Sequence, residues 1–173
     1  LRQHSVGSGA IIDAQGRVIT NYHVAGRGAT FLCRLADREE LPATLVGADA
    51  MTDVAVIQLD LSRRRSKAPL PVAEFADSDR VRAGDTVLSM GCPAGLTQSV
   101  TLGIIANDAM VMTRFVGAMN LDGESVGELV RWFGHDAVIF GGNSGGPLVD
   151  TQGRIVGINE IGIGSLGGAI PAN

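Results

Sequence analysis

The run Gly141-Gly142-Asn143-Ser144-Gly145-Gly146-Pro147-Leu148 sets one serine between glycine pairs. A serine hydroxyl is a weak nucleophile; it needs a base to take its proton and donors to hold the oxyanion that forms. Glycines on both sides let the chain turn sharply and aim N–H groups at a reacting carbonyl with no Cβ in the way. The N–H groups of Gly142 and Ser144, with Asn143 between them, would form such an oxyanion hole. A phosphate-binding loop is the rival chemistry, but it needs a Gly-Lys-Ser/Thr ending that is absent here. A plain tight turn is the bland alternative.

A serine of this kind needs a base, and the chain holds three histidines. His23 follows the apolar stretch Val18-Ile19-Thr20-Asn21-Tyr22, where a histidine taken alone is more often a satisfied core residue. His4 lies at the start of the chain. His135, beside Asp136, is the rival base. In Thr52-Asp53-Val54-Ala55-Val56-Ile57 an acid opens a buried-looking strand. A buried carboxylate costs several kcal/mol unless paired, and orienting a histidine tautomer would supply the pairing. Taken alone, Asp53 reads more readily as a turn or cap residue.

The elements that must position these groups read as strands. Arg17–Asn21, Leu41–Val46, Asp53–Leu59, Thr86–Met90, Ser99–Ala106, Pro147–Val149 and Arg154–Ile161 are short β-branched or alternating runs. Val6–Ile12, Ala29–Leu35 and Val126–Phe133 are strand candidates of the same kind, and Asn107–Gly127 lacks strong periodicity and is expected to be loop. Glycine makes up 24 of the 173 residues, without a Gly-X-Y period and with only 6 prolines. At 45% hydrophobic the chain is not disordered. Many short elements divided by glycine, proline, Asp and Asn point to an all-β barrel or sandwich.

The net charge of −4 argues against a nucleic-acid partner. Two cysteines, Cys33 and Cys92, are too few for a disulfide scaffold or a structural zinc site. No apolar run is long enough to be an integral membrane segment. The basic run Arg63-Arg64-Arg65-Ser66-Lys67 reads as a solvated loop tip. Gly162-x-Gly164-x-x-Gly167 leaves too little chain for a dinucleotide fold. One internal echo is present: Gly9-Ala10-Ile11-Ile12-Asp13-Ala14-Gln15-Gly16-Arg17 is similar to Gly146-Pro147-Leu148-Val149-Asp150-Thr151-Gln152-Gly153-Arg154. Turn chemistry alone could produce it, or a doubled barrel with one such hairpin in each half, dividing near residues 75–85.

The combination narrows the choice. The order His23…Asp53…Ser144 is that of chymotrypsin-type triads, not of α/β-hydrolases. With Gly7-Ser8-Gly9, Ile19-Thr20-Asn21-Tyr22-His23-Val24, Thr52-Asp53-Val54-Ala55-Val56, Gly142-Asn143-Ser144-Gly145-Gly146-Pro147 and Gly168-Ala169-Ile170-Pro171, the chain resembles the HtrA (Deg) family of trypsin-like serine proteases from Val6 to Asn173. The resemblance implies that family's protease domain, with its PDZ domain expected outside this sequence.

The resemblance implies an all-β fold of two perpendicular six-stranded barrels, about 1–75 and 76–173, with the site in the cleft between them. It implies a serine endopeptidase acting on unfolded or misfolded polypeptides, with His23, Asp53 and Ser144 catalytic and Gly142, Asn143 and Ser144 framing the oxyanion hole. No metal or cofactor is implied. A proteolytically silent chaperone or scaffold on the same fold is the alternative. A homotrimer is implied for the full-length protein, with a monomer left open for this chain, and an extracytoplasmic site such as a bacterial periplasm.

In this fold the base of the pocket for the residue before the cut lies six positions before the nucleophile, here Val138. Val138, Ile139 and Phe140, with Ile158, Asn159, Glu160 and Ile161 on the facing strand, are then the expected substrate-binding residues. An aliphatic floor cannot solvate a cation, so cleavage after small or medium aliphatic residues is expected. Asp136 and Glu160 are the acids that could defeat that expectation by swinging into the pocket.

Overall fold

The computed structural model describes residues 6–28, 30–93, 98–111, 119–121, 123–127 and 130–173. Strands dominate. β1 (Ala10–Ile11), β2 (Arg17–Asn21), β3 (Phe31–Arg34), β4 (Glu40–Asp49) and β5 (Val54–Leu59) form one antiparallel sheet in the order β1-β2-β5-β4-β3. Alternation explains the burial: in β5, Ala55, Ile57 and Leu59 are buried and the residues between them only partly so. They pack with Val18, Leu41, Ala43 and Ala25 into the core of this sheet. Ala25 comes from the single short helix among the described residues, α1 (Tyr22–Ala25), which follows β2 directly.

β6 (Thr86–Gly91), β7 (Ser99–Met110), β10 (Trp132–His135), β11 (Pro147–Val149), β12 (Ile155–Ile163) and β13 (Leu166–Pro171) close into a barrel in the order β10-β13-β12-β11-β6-β7. Val81, Val87, Ile105, Phe133, Leu148, Val156 and Ala169 fill it. A third cluster, Ala10, Val149, Ile155 and Ile158 with part-buried Ile19 and Met90, joins the sheet to the barrel. Between residues 60 and 85 there are two 3-10 turns and no strand. The chain crosses over at 73–76, where Ala73 N–H donates to Ile11 O and Ala76 N–H to Ile155 O.

The expected second barrel is present and closed, whereas the first is an open five-stranded sheet among the described residues. The reason lies in the segment expected as strand Val6–Ile12. Only Ala10 and Ile11 pair with β2. Ser8 is committed elsewhere: its N–H donates to Ser144 O at 2.8 Å and its hydroxyl to Gly142 O at 2.7 Å.

The region expected as loop is also more ordered. β7 runs on to Met110, and β8 (Met119–Leu121) pairs with β9 (Glu124–Val126) as a hairpin. The expected strand Val126–Phe133 is split between β9 and β10. Residues 112–118 of the expected loop lie outside the described residues. β13 escaped the sequence reading because its glycines weaken any strand pattern.

The internal echo is two hairpins with one turn, β1–β2 in the sheet and β11–β12 in the barrel. In each, the Asp13 or Asp150 carbonyl accepts from Gly16 or Gly153, at 3.2 and 3.0 Å. Both glycines are left-handed, with φ of 85° and 80°. Asp13 Oδ1 and Asp150 Oδ1 accept from Arg17 and Arg154 N–H, each at 3.0 Å. A Cβ on Gly153 would meet nothing within 4 Å, so alanine there tests conformation alone. Gly153→Ala is expected to cost about 1–2 kcal/mol of unfolding free energy, and Gly153→Asn clearly less, as read by urea denaturation at unchanged m-value.

Candidate active site

Asp53 sits in the turn ahead of β5 with φ 55°, in the left-handed region that β-carbon sterics make unfavourable. Such a residue carries about 1–3 kcal/mol of strain and persists only where its surroundings over-determine it. Here they do. Its N–H donates to Ala50 O, and its carbonyl accepts from Tyr22 N–H and Asn21 Nδ2, both at 3.0 Å. Its carboxylate is fully buried. Oδ1 accepts from His23 N–H at 2.9 Å, and Oδ2 lies 2.8 Å from His23 Nδ1. Asp53 therefore caps α1 and orients the imidazole that α1 carries. Asp53 thus sits in a turn and meets the His23 ring.

Ser144 lies on a turn clamped from three sides. Ser8 holds its carbonyl and that of Gly142, and Gly145 N–H donates to Asn159 O at 2.8 Å. Gly145 has φ 84°, and a Cβ there would run into Thr20 Oγ1 and Ser8 O. Only glycine lets the serine turn approach the end of β2 this closely. Asn143 N–H is spent within the turn on Phe140 O, at 3.0 Å. Asn143 thus spaces Gly142 and Ser144 rather than adding a third donor. Ser144 Oγ donates to Glu160 O at 2.7 Å.

Glu160 changes the expected picture. Placed by the sequence among the substrate-binding residues, its side chain is only 3% exposed and is turned inward. Its carboxyl, a His23 ring nitrogen and an Asp53 oxygen lie within 4.8 Å of one another. Burial first, then the Asp53 charge and a hydrogen bond to Asp53, push its pKa well above the usual carboxylate range. These donor atoms could in type take a cation. Asp53 already spends both oxygens on His23, so the cluster is a hydrogen-bonded group rather than an open cage.

The other expected pocket residues divide. Val138 is 49% and Phe140 61% exposed, and Ile139 is half-buried against the position of Gly167. Ile158 is buried in the cluster with Ala10 and Val149, in the seam between sheet and barrel, and so does not face Val138 as a wall. Asn159 is fully buried, with Nδ2 donating to Pro147 O at 3.1 Å. Ile161 pairs its backbone with Gly168, and its side chain lies outside what is described. Asp136 Oδ1 accepts from Ile104 N–H at 2.7 Å. Both acids that might have entered the pocket are thereby committed elsewhere.

The rival base His135 is fully buried in β10, and burial lowers its pKa. His4 lies outside the described residues. Burial likewise pushes the Cys33 thiol up, and both Cys33 and Cys92 are free thiols.

Sequence reasoning missed the support of α1. Tyr22 Oη donates to Glu124 Oε2 at 2.6 Å, and Arg27 donates to the same oxygen at 2.8 Å and to Leu121 O at 2.6 Å. The β8–β9 hairpin is thus pinned beside the helix that carries His23. The Tyr22 hydroxyl, then Arg27, hold Glu124 below its ordinary pKa. Nothing in the local sequence signals a pairing of residues about a hundred positions apart.

A peptidase class follows from this arrangement and from comparison with known proteins. The trypsin-like peptidase domain family matches residues 7–158, and the chain belongs to it. Its relatives are HtrA-type serine proteases. It is 36% identical over 161 residues to the putative serine protease HhoB of Synechocystis, covering 91% of this chain and 35% of that protein. It is 37% identical over 156 residues to a probable periplasmic serine endoprotease DegP-like of Pseudomonas putida, covering 90% and 29%. Among solved structures, the HtrA-type protease AlgW with decapeptide superimposes with a TM-score of 0.79 at 35% identity, over 96% of this chain and 48% of that one. The chain spans about a third of the length of the curated relatives it matches.

Removing the pin should loosen the hairpin without unfolding the sheet. Glu124→Ala is expected to speed amide hydrogen exchange across residues 119–126 while β5 stays protected. Equal protection in both proteins would show the hairpin held by other contacts.

Proposed function

We propose that the chain is a serine endopeptidase domain in which Ser144, His23 and Asp53 act as one unit on unfolded polypeptides. One observation carries this reading: Glu160 joins the three, with its carbonyl on the Ser144 hydroxyl and its side chain beside the His23–Asp53 pair. In turnover the Ser144 proton leaves the Glu160 carbonyl for His23, Oγ attacks the scissile carbonyl, and His23 returns the proton to the leaving amine. Asp53 stays ionised and keeps Nδ1–H turned toward itself. The N–H groups of Gly142 and Ser144 hold the oxyanion.

The substrate backbone adds as a strand along Glu160 and Ile161. β12 runs to Ile163, while its partner β11 begins pairing only at Pro147, opposite Ile158. Past Asn159, the β11 side of β12 meets no strand among the described residues, and that edge leads to Ser144. Main-chain hydrogen bonds there give affinity with little sequence demand. With Val138, Ile139 and Phe140 aliphatic or aromatic and both nearby acids engaged, the residue before the cut is small or medium aliphatic. Discrimination among these is about 10–200-fold per methylene.

The two halves divide near residue 75 and share the site between them. In its full-length form the protein works as a trimer in an extracytoplasmic compartment, in quality control; the periplasmic naming of the relatives supports the location. No helix among the described residues is long and apolar enough to cross a membrane.

Digestion of β-casein tests the reading. Asp53→Asn keeps a residue type that tolerates positive φ, yet should lose roughly 10⁴-fold in turnover through the wrong histidine tautomer. Ser144→Ala should abolish fluorophosphonate labelling and cleavage together. Sequenced cut sites should fall mainly after Val, Ile, Leu or Ala. A folded chain that never labels would favour the silent chaperone, and a majority of cuts after Lys or Arg would overturn the pocket assignment.

A further inference from the structure

Glu160 has no place in the three-residue unit, yet it is the most deeply committed acid beside it. Its carboxyl is buried against Asp53, and Oε2 has no hydrogen-bond partner among the described residues. Two ionised carboxylates cannot share such a site, since like charges at this range and burial repel by several kcal/mol. One of them must hold a proton. Asp53 accepts two contacts from His23, both of which favour its charged form, whereas no ion pair among the described residues holds Glu160.

The groups around Glu160 support the same division. From α1 it faces His23, and from the turn before β5, Asp53. The segment at Gly127 and β10 bring only an uncharged wall, with Glu160 Oε1 and the Trp132 ring both within 3.6 Å of where a Cβ on Gly127 would sit. On β13 the facing residues are Gly168 and Ala169. The His135 ring lies against Gly167 on β13, and burial lowers its pKa.

Resting on the proposed triad, we propose that Glu160 is a positioning residue: a neutral carboxylic acid that donates its proton in a hydrogen bond to the Asp53 carboxylate. No proton is transferred in this role. The acid holds Asp53 in its strained turn and aimed at His23, while the Glu160 backbone carbonyl positions Ser144. One residue thereby sets both ends of the unit. The β12–β13 register shift between Asn159 and Ile161 falls at Glu160, where the strand departs from regular pairing.

The sign of the pH effect follows. Glu160 is raised in the fold, so the folded chain binds a proton that the unfolded chain releases above the ordinary glutamate value. Its contribution to stability is complete below that value and is lost as pH rises toward the folded value. Ionisation at the alkaline end also sets a second negative charge on Asp53 and disorders the pair.

The rate of fluorophosphonate labelling of Ser144 against pH, with carbon-13 NMR of the glutamate carboxyls, tests the role. Wild type is expected to show a protonated Glu160 at neutral pH and an alkaline fall in labelling that tracks its titration. Glu160→Ala should label about tenfold more slowly, the equivalent of one charge-assisted hydrogen bond. Glu160→Gln, whose amide can still donate, should recover most of that loss and show no such alkaline fall. Asp53→Asn should bring the Glu160 titration down toward ordinary carboxylates. An ionised Glu160 at neutral pH, or an unchanged alkaline limb in Glu160→Gln, would overturn the role. A wild-type chain that never labels defeats the proposed function instead, and the carboxyl NMR then still decides Glu160.

Discussion

Burying a carboxylate fully is costly, and much of the site's architecture serves to satisfy Asp53. Asp53 stands in a backbone conformation that few non-glycine residues adopt, with its charge withdrawn from water. Removing an ion of this size from water costs several kcal/mol even after relaxation, more than any single neutral hydrogen bond returns. The cost is met by convergence: Asn21 and Tyr22 hold its carbonyl, and His23 meets the carboxylate through backbone and ring. The same bonds start α1 and fix the orientation of the imidazole. Histidine geometry is thus a by-product of keeping one charge buried.

The serine side is held by a different device, close backbone approach. Gly145 stands where a side chain would strike Thr20 and Ser8, and Ser8 bridges Gly142 to the Cys92 N–H. The segment before β1 therefore forgoes strand pairing to brace the Ser144 turn.

Glu160 stands where the two devices meet. It lies on β12 in the barrel, its carbonyl meets the serine turn, and its side chain reaches the Asp53 turn of the sheet. A residue that binds both halves of a site couples their geometry, so movement of β12 against the sheet would disturb base and nucleophile together. The hairpin pinned to Tyr22 and Arg27 gives α1 a second anchor from the barrel side.

The sequence by itself determined the strand-rich class and the twin Asp-x-Gln-Gly-Arg turns, because each rests on local chemistry, and it proposed His23, Asp53 and Ser144 only through their order and flanking motifs taken together. Alternation writes a strand, a left-handed turn demands glycine, and a serine among glycines announces a sharp turn. Only the tertiary structure decided what depends on separation in space. Glu160 reads locally as one more strand residue, and its inward orientation depends on the strand's registry with β13 and on Asp53 lying across the seam. Ile158 and Val138 look alike as aliphatics, yet packing buries one between sheet and barrel and leaves the other exposed. The Glu124–Arg27 pair joins residues 97 positions apart, and no local pattern records such a contact. Long-range pairing is chosen by the burial and charge of the whole fold, which short windows of sequence do not contain.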